Sequence, residues 1–141
     1  MNLVDANVLL YAIDSDGPNH ARAKHWIDDA LSRGDTIGFT WIVLLAFLRL
    51  ATNPRVFPRP LSQDEAMGTV RDWLAQPAST VVEPTSRHLD VLAGLLQESG
   101  GAANLVNDAH LAAIAVEHDA AIVSFDRDFA RFQGVRGRVP E

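Results

Sequence analysis

The chain is predicted to adopt an α/β fold, and two features carry that prediction. Short apolar runs at 2–4, 36–39, 80–83 and 120–125 alternate with segments of helical periodicity. That order is expected of a mainly parallel sheet covered by helices on both faces. The length of 141 residues, 48% of them hydrophobic, suits a single domain spanning 1–141 around one core. An all-helical bundle fails at 1–5, 80–83 and 120–125.

Asn2-Leu3-Val4 reads as a buried strand that stops at Asp5 and turns into a short helix through Val8-Leu9-Leu10-Tyr11. Pro18 and Asn19 open a helix over 18–33, with Ala21, Trp26, Ile27, Ala30 and Leu31 on its apolar face and Gly34 at its end. Thr36 to Phe39 is a short strand. Thr40 then caps an unusually apolar helix, Trp41 to Ala51, whose one charge is Arg49. Such a helix is expected to be buried on most sides, in the core or in an oligomer interface. Ser62-Gln63-Asp64-Glu65 fits a capping box and starts a helix over 63–75. Thr80 to Glu83 is strand-like. Thr85 starts a helix with Leu89, Leu92, Ala93, Leu95 and Leu96 in register, closed by Gly100-Gly101. Leu105 to His118 reads as helix, Ala120 to Phe125 as strand, Asp128 to Phe132 as a helical turn and Val135 to Val139 as the last strand.

Cysteine is absent, which excludes a disulfide framework, a thiolate nucleophile and a Cys-based zinc site. The amino-terminal residues lack a basic segment of the secretory kind, and no apolar run approaches the roughly 18–20 residues of a membrane span. A cytoplasmic domain is the expectation. The net charge of −6 argues, as a total, against a nucleic-acid partner. Its distribution says otherwise. Residues 36–63 hold Arg49, Arg55 and Arg59 and no acid, and the tail from 127 carries four Arg against Asp128 and Glu141. Eleven of the twelve bases are Arg, the side chain that forks onto phosphate oxygens.

Ligands of open α/β sheets bind outside the carboxyl ends of the strands. Two strands here end in aspartate, Asp5 and Asp126, which places both carboxylates on one edge if the strands are parallel. Asp128 follows on the next turn, and Asp108 lies in the first turn of the helix that feeds the second strand. Grouped carboxylates hold their protons unless a cation neutralises them. Hard oxygen donors of this kind suit Mg²⁺ or Mn²⁺. A pair of such ions about 3.5–4 Å apart activates water and stabilises both oxygens of an in-line phosphodiester displacement. Taken singly, each acid reads first as a cap or turn residue. Asp5 and Asp126 together, both ending apolar runs, favour a site.

Three blocks of this sequence resemble the PIN-domain ribonucleases, and in particular the VapC-type toxins of bacterial toxin–antitoxin modules. They are Asp5-Ala6-Asn7, the stretch from Asn104 to Ala113 around Asp108, and Ser124-Phe125-Asp126-Arg127-Asp128-Phe129. Thr52-Asn53-Pro54-Arg55-Val56-Phe57 resembles one branch of those toxins, so the likeness covers nearly the whole chain. The resemblance implies a three-layer α/β/α PIN-like fold and a Mg²⁺- or Mn²⁺-dependent endoribonuclease. Its catalytic acids would be Asp5, Asp108 and Asp126, with Asp128 as a further metal carboxylate. It also implies a homodimer and a cognate antitoxin whose C-terminal segment inserts near the active site. One departure stands out. The family places a Glu on the helix after the second strand, and Ala46 occupies that place here. The departure weakens the case for a second metal ion more than for the first. It also keeps a catalytically silent PIN-fold binding module as the alternative function.

Arg49, Arg55, Arg127 and Arg131 are the candidate RNA-binding residues. Arg49, Arg55 and Arg59 would form a phosphate-binding rim, unless Arg49 pairs with an Asp elsewhere and the other two are solvated. Arg127 and Arg131, four apart on a helical turn, are expected on one face, and Arg136 and Arg138 on one side of the last strand. His20 and His25 do not share a metal-binding face, nor do His110 and His118; all five histidines read first as surface or cap residues, and His110, two residues from Asp108, second as a residue that approaches a substrate phosphate. Ser124 is placed to hydrogen-bond a carboxylate or water. Asn7 and Asn104 read first as helix caps and second as residues that orient the acids. Trp26, Trp41 and Trp73 read as core or interface. A phosphotransferase of the haloacid-dehalogenase kind needs a second Asp where Asn7 stands and a later Lys, whereas the one lysine is Lys24.

Overall fold

A computed structural model of the chain describes residues 1–101 and 103–141. Strand β1 (Asn2–Val4) is followed by helices α1 (Ala6–Ile13) and α2 (His20–Ser32), and β2 (Ile37–Phe39) by α3 (Trp41–Ala51) and α4 (Gln63–Leu74). Strand β3 (Ser79–Val81) is followed by α5 (His88–Glu98) and α6 (Val106–Glu117). Strand β4 (Ala121–Val123), a 3-10 turn over Arg127–Arg131 and β5 (Arg136–Arg138) complete the chain. The strands form one sheet in the order β3-β2-β1-β4-β5, with every neighbouring pair parallel. The three-layer α/β/α architecture expected from the alternation is the one observed. No helix among the described residues is long and apolar enough to cross a membrane.

The topology decides where a site can form. From β1 the chain steps outward to β2 and β3, then returns across β1 and lays β4 on its other side. Right-handed crossovers put α1–α4 on one face of the sheet and α5 and α6 on the other. The order therefore reverses between β1 and β4, and a crevice opens at their carboxyl ends. Both central strands are covered on both faces: Leu3, Val4, Ile122 and Val123 are buried, which is why they read as unbroken apolar runs. Trp73 anchors the α3–α4 layer, stacked on Phe39 at 6.4 Å between ring centres and edge-on to Phe47 at 4.9 Å. A Cβ added at Gly38 would overlap the side chains of Leu3 and Val82, so β2 needs a glycine where they cross it.

The Ser62–Glu65 capping box is present with both of its reciprocal hydrogen bonds. Elsewhere the boundaries differ from expectation. Thr40 holds the N-cap position of α3, yet its hydroxyl makes no cap bond. Helix α5 begins at His88 rather than Thr85: Thr85 donates its N–H and its hydroxyl to Glu117, and its hydroxyl oxygen accepts from the Arg87 N–H at 3.2 Å in the turn that precedes the helix. Helix α6 stops at Asp119, whose left-handed φ of 51° is one that Asp tolerates better than most residues. Arg136 holds the Asp119 carboxylate at 3.1 Å, tying β5 to the start of β4. Helix α3 buries one strip, Val43, Leu44, Phe47 and Ala51, and leaves Trp41 (48% exposed) and Leu45 (59%) uncovered. On α5, Leu95 is buried whereas Leu89 is 76% exposed.

A buried polar chain joins α5 to α6. The Glu117 side chain is 0% exposed and accepts from Thr85 N–H at 2.8 Å, from the Thr85 hydroxyl at 2.6 Å and from His88 Nδ1 at 2.6 Å. A carboxylate has no proton to give, so His88 donates through Nδ1; its Nε2 lies 2.8 Å from His110 Nδ1, and the two rings share a hydrogen bond. His110 therefore faces α5 and not the acids around Asp108. Although burial opposes its charge, the Thr85 and His88 hydrogen bonds hold the Glu117 carboxyl below the usual glutamate range. Burial, and then the neighbouring His88, push the His110 imidazole down, with Glu117 opposing.

Two outcomes follow from this packing. Gly38→Ala is expected to lower unfolding stability by about 1–3 kcal/mol in denaturant titrations, the usual cost of overpacking. A depressed imidazole means that the unfolded chain binds protons more readily. The His110 contribution is thus intact above the ordinary His value near 6.5 and is lost as pH falls through the lower folded value. Thermal midpoints measured from pH 8 down to 5 should decline more steeply for the natural chain than for His110→Gln; parallel profiles would contradict this assignment.

Candidate active site

Asp5 ends β1 and starts α1, and both of its carboxylate oxygens are committed. Oδ1 accepts from the Ala6 N–H at 2.8 Å as the helix N-cap, and Oδ2 accepts from the Ser124 hydroxyl at 2.7 Å. The same hydroxyl oxygen accepts from Asn7 Nδ2 and from the Asp126 N–H, each at 3.0 Å. Asn7 Oδ1 accepts from the Phe125 N–H at 3.1 Å, and Asn7 Nδ2 also lies 3.5 Å from Asp5 Oδ2. The backbone repeats the tie, with the Asp5 N–H donating to the Val123 carbonyl at 2.9 Å. Asp126 Oδ1 in turn accepts from the Asp128 N–H at 2.8 Å and caps the 3-10 turn.

The cap reading of Asn7 is therefore replaced. Asp5 takes the cap position, and Asn7 bridges β1 to the segment after β4. Asn104 does not cap α6 either: the N-cap is Leu105, and Asn104 is exposed in the 3-10 turn Ala103–Leu105. Ser124 hydrogen-bonds a carboxylate as expected, and its further link to Asn7 went unread. An Asn two residues after a strand-ending Asp, paired with a Ser two residues before another, was the available signal. Thr40 was missed too. Its Oγ1 is buried, in a residue 2% exposed, and has no hydrogen-bond partner among the described residues. It follows β2, at the same sheet edge as Asp5.

The acids raise one another's affinity for protons. Burial pushes the Asp5 carboxyl above its ordinary value against the hydrogen bonds from Ser124 and Ala6, and the Asp126 charge adds to the rise. Asp108, in the first turn of α6, is raised first by burial and then by Asp5 and Asp126; Asp128 adds to the rise and Arg131 opposes it. Asp128 itself is paired with Arg131 at 3.0 Å. Among the described residues, no three His, Cys, Asp or Glu side chains are gathered closely enough to hold a metal ion by themselves.

Two cavities flank this edge. A cleft of about 520 Å³ lies between α3 and the first turn of α6, lined by Asp5, Asp108, Asn107, Arg49 and Ala46 together with apolar side chains of α3. Asp126 faces a second, smaller cavity of about 310 Å³ with Arg127 and Arg138. Of the arginines, Arg49 reaches the acids' cleft, Arg127 the second cavity, and Arg131 the Asp128 carboxylate. Arg127 and Arg131 do not share a face, because a 3-10 turn repeats every three residues and not four. Arg55 sits in the exposed turn after α3, away from the acids, its N–H bonded to Asn53. Arg59 pairs with Asp16 at 2.7 Å. The ion pair considered for Arg49 thus belongs to Arg59. Trp73 is core and Trp26 half-buried, whereas Trp41 is largely exposed.

Comparison with known proteins places this geometry. The family model described as PIN domain matches residues 3–135. The chain is 56% identical over 140 residues to Ribonuclease VapC37 of Mycobacterium tuberculosis, covering 99% of this chain and 97% of that one. It is 42% identical to Ribonuclease VapC33 of the same species, covering 99% and 98%. The structure superposes on VapBC2 of Rickettsia felis, solved with a DNA fragment from their promoter, with a TM-score of 0.73 at 15% identity over 99% of this chain and 98% of that one. A toxin–antitoxin complex from Klebsiella pneumoniae gives a TM-score of 0.62 at 18% identity, covering 96% and 95%. With a family match over almost its entire length and relatives this similar, the chain belongs to the PIN-domain family, within its VapC branch.

Proposed function

We propose that this chain is a metal-dependent endoribonuclease, hydrolysing RNA phosphodiester bonds in the cytoplasm as the toxin of a toxin–antitoxin module. The observation that carries this reading is the joining of Asp5 and Asp126 through Ser124 at the switch point of the sheet, with Asp108 adding its charge. The relatives' names as ribonucleases support it.

The site fits a divalent ion on its donor chemistry. Asp5 and Asp108 are held above their ordinary pKa by burial and by neighbouring acids, a surplus of negative charge that a cation relieves. All the donors are hard oxygens, the ligand type that suits Mg²⁺ or Mn²⁺. Asp5, Asp108 and Asp126 would hold the ion, with Asp128 as the outer carboxylate. When bound, the ion lowers the pKa of water and offsets charge on the phosphodiester. The chain's own residues do the rest. Ser124 and Asn7 fix the Asp5 carboxylate, and Arg49, Arg55, Arg127 and Arg131 bind the RNA backbone.

The uncovered apolar surface supports a protein partner. Trp41 and Leu45 are exposed on α3, whose cleft wall is Ile42, Val43, Leu45, Ala46 and Arg49, a largely apolar surface suited to a cognate antitoxin and to a second copy of the chain. The Klebsiella neighbour, a toxin–antitoxin complex, supports that partner class. The rival reading, a silent binding module, draws on Ala46, which lines the cleft without a carboxylate.

Cleavage of RNA with Mg²⁺ or Mn²⁺ should vanish with EDTA and in Asp5→Asn, while the far-ultraviolet spectrum is unchanged; metal-dependent cleavage by the natural chain excludes the silent module, and cleavage by Asp5→Asn rules out the assigned role of Asp5. Ser124→Ala should weaken Mn²⁺ binding by about 10–100-fold, the usual effect of losing a residue that orients a ligand. Light scattering of the isolated chain at tens of micromolar should report a dimer, and a monomer would count against the homodimer.

A further inference from the structure

The α3 wall of the cleft carries no carboxylate. Residues 36–63 contain Arg49, Arg55 and Arg59 and neither Asp nor Glu, so every acid of the site lies on the β1, β4 and α6 side. Ala46 and Arg49, three apart, share the face of α3 that lines the cleft, opposite Asp5 and Asp108. The short Ala46 side chain leaves open the space one turn before the guanidinium. Among the described residues the ion pairs of Lys24, Arg33, Arg59, Arg131 and Arg136 are all accounted for, and none engages Arg49. Arg49 therefore stands across an acidic cleft from the carboxylates without being neutralised by them.

We propose that Arg49 grips the scissile phosphate from the α3 side, opposite a single ion on the acidic side, and so supplies the second positive charge of the site. This rests on the reading of the cleft as a phosphodiester-cleaving centre. In-line displacement at phosphorus builds charge on the non-bridging and leaving oxygens, and cations on both sides of the phosphate stabilise it. A second divalent ion would need one or two carboxylates of its own, and α3 offers none. A guanidinium needs no such ligands. Its planar fork bonds two phosphate oxygens at once and keeps its proton throughout. In the reaction, water forms the new P–O bond and releases a proton to solvent; the departing ribose oxygen leaves with the bonding pair and takes up a proton. Arg49 changes neither charge nor covalency, which is how arginines serve other phosphoryl-transfer sites. It is in this sense a catalytic residue, because it touches the reacting group.

The test uses the full chain and two readouts besides activity. Mn²⁺ is titrated calorimetrically into the natural protein, Arg49→Ala and Asp5→Asn, and a 2′-methoxy oligoribonucleotide is bound in Ca²⁺. The natural protein and Arg49→Ala should each take up one Mn²⁺ per chain with the same affinity, and Asp5→Asn should lose it. Arg49→Ala should weaken oligonucleotide binding by about tenfold, as expected for a lost charged hydrogen bond. Its single-turnover cleavage should fall by about 10²–10³-fold, the scale of losing one donor to a developing charge. Arg49→Lys should restore binding more than cleavage, since a point charge lacks the fork. Two Mn²⁺ per natural chain, or oligonucleotide binding by Arg49→Ala equal to that of the natural chain, would overturn the proposal. A natural chain that binds one Mn²⁺ and grips the oligonucleotide through Arg49, yet never cuts RNA, would overturn the nuclease reading and leave the phosphate grip standing.

Discussion

The Ser124 hydroxyl gives its proton to Asp5 while its oxygen accepts from Asn7 and from the Asp126 backbone. Four segments of the edge meet on that one oxygen: the end of β1, the first turn of α1, the end of β4 and the start of the 3-10 turn. Parallel pairing brings Val4 beside Val123, but backbone bonds alone leave side chains beyond the strand ends free to turn. The hydroxyl removes that freedom. Its burial matters equally, because a hydrogen bond shielded from water is stronger and its loss leaves partners unsatisfied. The remaining features of the site depend on this node, since Asp126 positions Asp128 and Asp128 holds Arg131.

Around the node, charge is sorted by wall. Carboxylates occupy the strand ends and the first turn of α6, arginines occupy α3 and the tail, and apolar side chains fill the space between. The net charge of −6 is thus a poor guide to what the surface meets, because acids and arginines are segregated along the chain and between the walls of the site. A cation entering there reverses the local sign, and phosphate then meets a positive surface on both sides. The overall acidity and the affinity for RNA proposed here are compatible for that reason.

Much of the fold was legible because it rests on local rules. Apolar runs of β1 and β4 end in Asp5 and Asp126, and the Ser62–Glu65 box starts α4 where its chemistry says it must. What the sequence left unread was decided by tertiary partners. Thr85 looks like a helix start until Glu117, more than thirty positions away, claims its hydrogen-bonding groups. His110 looks close to Asp108 in sequence, yet successive helical positions turn by about 100°, which points it toward His88. Arg49 and Arg59 both stand in the acid-free segment, and only the fold shows that Arg59 pairs with Asp16, which no spacing rule connects to it, while Arg49 lines the cleft. Asn7 and Ser124 were visible as candidates; their contact was not, because 117 residues separate them.

The polar chain through Glu117, His88 and His110 has a mechanical consequence. Helix α6 carries Asp108 at its first turn and Glu117 at its last, and α5 pins it at two points, His110 and Glu117. Sliding α6 along its axis would pull Glu117 from Thr85, and rolling it would part His110 from His88. Sliding is thereby resisted nine residues from Asp108, at Glu117, and rolling two residues from it, at His110. The stiffness of the acidic edge on the α6 side is therefore set in part by α5, a helix that lines neither cavity.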